Sequence, residues 1–101
     1  MATKELFARL LNYFDENFLT IQSLDEVATR FGYSYNYLYK LFAKFNNSTP
    51  IAYLNAKKMD FAKEYLKTHS VTKTAEKLGY TSPYNFSRAY KKYFGSSPSK
   101  E

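Results

Sequence analysis

The chain has 101 residues, 45% apolar and 20% aromatic, enough for one compact domain or two very small units sharing a core. It has no cysteine, which excludes disulfides and thiolate metal sites, and no long apolar run or signal-like start, so a cytoplasmic protein with no membrane contact is expected. The net charge of +6 is unevenly spread: residues 1–33 carry −2 and residues 34–101 carry +8, with no carboxylate between Tyr33 and Met59 or between Lys77 and Lys100. Such a surface suits a polyanion through counterion release, although charge alone would equally make a solvated, solubilising face.

Leu6, Phe7, Leu10, Leu11, Phe14 and Phe18 recur at helical spacing and predict an opening helix over roughly 3–17. The stretch SLDE at 23–26 is a capping box that starts a short helix carrying Leu24, Val27, Ala28 and Phe31. Gly32 ends it, in the left-handed position where glycine carries no steric penalty. Next comes FGYSYNYLYKLF at 31–42, in which Tyr33, Tyr35, Tyr37 and Tyr39 alternate as in a half-buried strand.

An internal repeat decides against the strand. ATRFGY at 28–33 matches AEKLGY at 75–80, and SYNYLYKLFAKF at 34–45 matches SPYNFSRAYKKY at 82–93, with Thr81 inserted between the two registers. In the second copy Pro83 follows Ser82, the signature of an N-cap and first helical position, so Ser34 caps an equivalent helix. Leu38, Leu41, Phe42 and Phe45 then form a buried stripe, as do Phe86, Ala89, Tyr90 and Tyr93. Thr49-Pro50 opens the longest helix, expected over 49–68 with Ile51, Leu54, Phe61, Ala62, Tyr65 and Leu66 inward; at ~1.5 Å per residue it would span about 30 Å. Ser70 caps another short helix holding Val71, Ala75 and Leu78, closed by Gly79. Tyr33 and Tyr80, each after a turn glycine, are expected in the core. The fold class is all-α: six or seven helices, as two homeodomain-like helix-turn-helix subdomains (1–48 and 69–101) joined by a long helix (49–68).

Each repeat pairs a short helix, a glycine turn and a second helix with a polar first turn, the arrangement that lays its second helix in the DNA major groove. Opposite the apolar stripe, the first such helix carries Asn36, Tyr39, Lys40, Ala43 and Lys44. The second carries Tyr84, Ser87, Arg88, Lys91 and Lys92, with Asn85 at the edge. These faces offer donors, stacking rings and cations, with no carboxylate to repel phosphate. Because they differ, one chain would read an asymmetric site of two unlike elements about one helical turn, roughly 34 Å, apart.

SLDEVATRFGYSYNYLYKLF, LNAKKMDFAKEYL and above all AEKLGYTSPYNFSRAYKKYFGSSPSK resemble the AraC/XylS-type DNA-binding domain, over essentially the whole chain. The resemblance implies a transcription regulator that binds specific double-stranded DNA. By position it implies base contacts from Asn36, Tyr39 and Lys40, and from Pro83, Tyr84, Asn85, Ser87 and Arg88. Backbone contacts are expected from Ser34, Tyr35, Tyr37, Lys44, Ser82, Lys91 and Lys92. It also implies RNA polymerase as a partner and an N-terminal sensing, dimerising or receiver domain in a larger protein, such as an effector-sensing regulator or a two-component response regulator. Two departures stand out. Thr74 replaces an aliphatic residue, so looser packing of its helix is expected, and the final short helix is cut off at Glu101.

Lys57, Lys58, Lys63 and Lys67 on the long helix are expected to be mostly solvated, and His69 to be a loop residue. One histidine, no cysteine, no glycine-rich phosphate loop and no paired carboxylates argue against an enzyme, a cofactor or a metal site. Two rival readings share the composition: an aromatic-rich module for single-stranded RNA or DNA, and a helical protein-interaction domain.

Overall fold

The computed structural model describes residues 2–100; residue 101, where the shortened final helix was expected to stop, lies outside them. Among the described residues there are six α-helices and no strand: α1 (Thr3–Asn17), α2 (Leu24–Phe31), α3 (Tyr35–Asn46), α4 (Pro50–Tyr65), α5 (Val71–Leu78) and α6 (Pro83–Phe94), then a 3₁₀ turn at Pro98–Lys100. The chain divides into two compact units at Lys57/Lys58, within α4.

Caps set most of the boundaries. The hydroxyls of Ser23, Ser34, Ser70 and Ser82 accept the backbone N–H of Glu26, Tyr37, Lys73 and Asn85, each three residues on, at 3.1–3.2 Å. Each bond satisfies one of the four donors that a helix start leaves orphaned. Gly32 (φ +79°) and Gly79 (φ +82°) close α2 and α5 in the left-handed region, and their N–H groups return to helix carbonyls. The chain can therefore turn sharply into α3 and α6, which begin three and four residues later.

In the first unit Leu10, Phe14, Val27, Leu38 and Phe42 are wholly enclosed, and Ile21 after α1 joins them. Phe42 lies edge-on to Phe7 (5.0 Å) and Phe14 (5.4 Å), with Tyr53 of α4 5.8 Å away. Aromatic pairs of this geometry add about 0.5–1.5 kcal/mol each beyond the area they bury. In the second unit Thr74, Ala75, Leu78, Phe86 and Tyr90 line the contact of α5 with α6, with Met59 and Ala62 also buried.

Several expectations are corrected. α4 is 16 residues long, about 24 Å, and stops at Tyr65. Lys67 and Thr68 donate to Glu64 and Tyr65 in tight i→i+3 bonds, and the His69 ring stacks flat on Tyr65 at 3.7 Å, so the last turn is wound off. Within α4, Ile51 is exposed while Met59 is buried. Tyr33 is 43% exposed, stacked on Tyr37 at 4.8 Å, whereas Tyr80 is half-buried against Phe86. Tyr93 is exposed, and Phe94 takes its place in the stripe, 4.6 Å from Tyr90. Thr74 is not loosely packed: it is fully buried, its hydroxyl donating to the Ser70 carbonyl oxygen at 2.8 Å. Of the lysines expected on the long helix, Lys63 and Lys67 are exposed, Lys63 over the Phe94 ring and Lys67 beyond the end of α4 beside Glu64 at 3.0 Å, whereas Lys57, paired with Asp15 at 2.9 Å, and Lys58 are half-buried.

Candidate nucleic-acid interface

The Ser34 cap holds the first turn of α3, which directs Asn36, Tyr39, Lys40, Ala43 and Lys44 outward, all exposed. Tyr35 and Tyr37 are half-buried at the edges of the stripe, and the Tyr35 and Tyr39 rings lie 6.4 Å apart. The Lys44 ammonium lies over the Phe45 ring, 5.2 Å from its centroid, within cation–π range. The Tyr33–Tyr37 stack was missed in the sequence, although the i,i+4 spacing was there to be read.

α6 builds the second face. Pro83 occupies its first position and is exposed; Tyr84 is 69% exposed, and Ser82 and Ser87 are half-buried. The Arg88 guanidinium lies over the Tyr84 ring, 5.7 Å from its centroid, within cation–π range. Asn85 is exposed, but its amide nitrogen donates to the Thr81 hydroxyl at 2.8 Å, so the inserted residue of the repeat serves the start of this helix. Lys91 and Lys92 continue the face, and an open depression of about 530 Å³ runs along Asn85, Arg88, Ala89, Lys91 and Lys92.

Neither α3 nor α6 contains a carboxylate, and the ion pairs Lys57–Asp15 and Lys67–Glu64 lie elsewhere among the described residues. Each face thus combines the positive end of a helix dipole with unneutralised cations, an arrangement that attracts phosphate. Burial pushes the Tyr80 phenol up, in keeping with its place behind α6 and not on the outer face. Among the described residues no group of three or more His, Asp or Glu side chains is placed to hold a metal.

Two glycine-turned helix pairs, each presenting a capped and acid-free second helix, define a helix-turn-helix nucleic-acid-binding fold. A family model described as a helix-turn-helix domain matches residues 27–101. The chain belongs to the AraC/XylS-type family of helix-turn-helix domains, the DNA-binding domains of transcription regulators. It is 34% identical over 97 residues to the raffinose operon transcriptional regulatory protein RafR of Pediococcus pentosaceus, covering 94% of this chain and 35% of that one. To the regulatory protein SoxS of Salmonella typhimurium it is 29% identical over 101 residues, covering 98% and 94%. The C-terminal domain of AraT, a response regulator from Geobacillus stearothermophilus, matches at a TM-score of 0.84 and 28% identity, over 92% of this chain and 79% of that one. This chain spans about a third of the length of the first curated relatives it matches. No helix among the described residues is long and apolar enough to cross a membrane.

Proposed function

We infer that this chain binds specific duplex DNA as the output domain of a larger regulator, reading an asymmetric site through two successive major-groove segments. The observation that carries this reading is the pair of acid-free recognition faces, which are built alike yet differ at nearly every outward position. Asn36, Tyr39 and Lys40 on α3, and Pro83, Tyr84, Asn85, Ser87 and Arg88 on α6, are the proposed base readers. Ser34, Tyr35, Tyr37, Lys44, Ser82, Lys91 and Lys92 are the proposed backbone contacts; their hydroxyls and ammonium groups fix register without reading sequence.

The larger protein is proposed from the lengths of the relatives, and AraT, named as a response regulator, supports a receiver or sensing domain ahead of this one. RNA polymerase is the proposed protein partner in transcription. The test is selection of bound sequences from a random duplex pool, with single-stranded competitor in parallel. Two unlike enriched motifs about one helical turn, roughly 34 Å, apart are expected. No enrichment, or preference for the single strand, sinks the reading in favour of a base-stacking single-strand module built on the exposed tyrosines.

A further inference from the structure

We propose that Arg88 and Tyr84 act as one unit that reads a guanine together with the C5-methyl group of a thymine in a neighbouring base pair. The inference rests on the reading of α6 as a recognition helix and names what that helix selects.

Tyr84 and Arg88 stand one turn apart on the outward face, the guanidinium 5.7 Å from the ring centroid, and α6 has no carboxylate to draw it away. The cation–π contact with the ring restricts the guanidinium to fewer orientations before DNA arrives, so less freedom is lost on binding. Asn85 is differently engaged. Its amide nitrogen is held to Thr81 at 2.8 Å, against the start of the helix, and bidentate pairing with adenine would break that bond. Arg88 is therefore the bidentate donor that α6 offers at no such cost, and its match in the major groove is the O6/N7 pair of guanine.

A guanidinium paired with guanine lies in the plane of that base. The Tyr84 ring, its centroid 5.7 Å from the guanidinium carbon, then reaches the groove edge of a neighbouring base pair. The apolar group presented there is the thymine methyl, and the exposed Tyr84 ring is an apolar surface for it.

The test uses the whole chain on a selected duplex whose α6 element is identified as the one lost from the pool selected with Arg88→Ala. Deoxyuridine in place of each thymine beside the guanine removes the methyl alone. The unmodified protein is expected to bind the thymine duplex about fourfold tighter than the uracil duplex, the worth of one buried methyl. Tyr84→Phe should keep this preference, and Tyr84→Ala should bind both duplexes alike. Equal affinities for the unmodified protein overturn the proposal. So does a Tyr84→Ala protein that still prefers thymine, or a Tyr84→Phe protein as indifferent as Tyr84→Ala, which would assign the effect to the hydroxyl. Tyr84 is exposed, so its variants should fold, which melting curves verify. A pool with no enriched sequence sinks the DNA reading itself, whereas enrichment without guanine beside thymine in the α6 element sinks only this pair.

Discussion

The Thr74 hydroxyl donates to the Ser70 carbonyl oxygen across 2.8 Å, from a side chain with no exposed surface. The same oxygen also accepts the Thr74 N–H at 3.0 Å, so removing the hydroxyl orphans nothing. In the first repeat the equivalent residue is Val27, likewise fully enclosed. Thr74→Val is therefore expected to stabilise the fold by about 0.5–1 kcal/mol, and Thr74→Ala, which leaves a small cavity, to cost about 1 kcal/mol or more. Thermal unfolding measures both. Loss of stability in the valine variant would show that the hydroxyl, and not the shape, is what this site needs.

Tyr53 donates to the Asp15 carboxylate at 2.7 Å, beside the Lys57–Asp15 ion pair. Burial, with the Asp15 hydrogen bond and charge, pushes the Tyr53 phenol up to about 12 from an ordinary 10.0. A folded-state value above the unfolded one means stability that is fully present below pH 10 and is lost as pH rises through about 12. Tyr53→Phe should accordingly lower the melting temperature at neutral pH and fall less steeply than the parent between pH 10 and 12. The difference should stay below about 1 kcal/mol, because the Asp15 side chain is 42% exposed and screened. At the acid end burial of Asp15 is outweighed by its bonds to Tyr53 and Lys57, and its carboxyl titrates below the ordinary 3.8. Its contribution is present above that value and lost on acidification. Parallel alkaline slopes for the two proteins would discard the link.

Arg88 and Lys92 share one helix and should differ in kind. Arg88→Ala is expected to weaken the selected site by about 1–3 kcal/mol and random duplex much less. Lys92→Ala is expected to weaken all duplexes alike and to reduce the slope of log affinity against log salt by about one unit. Titrations at several salt concentrations separate the two. An equal loss on both DNAs would make Arg88 a phosphate contact, and an unchanged slope would remove Lys92 from the backbone.

Most of the candidate site could be read from the chain because a helix of known start has a known outer face. Once Pro83 marked the start of α6, the positions of Tyr84, Arg88 and Lys92 followed from the 3.6-residue period. What the outward side chains are committed to did not follow. The Asn85–Thr81 bond and the Arg88–Tyr84 cation–π contact depend on rotamers and distances, which periodicity does not encode.

By itself the sequence determined the helices, their serine caps and their glycine stops, since these are local rules acting within about four residues, and the doubling of the unit, since the repeat is written in the residues themselves. Tertiary structure decided which of two chemically similar residues is the more covered: Tyr80, half-buried, rather than its repeat equivalent Tyr33; Phe94, half-buried, rather than Tyr93; and Met59, buried, rather than Ile51. It also decided that α4 ends at Tyr65, where the His69 ring stacks back on it. In each case the pattern of apolar positions permits both outcomes, and the packing of particular rings and side chains, which periodicity does not encode, selects one.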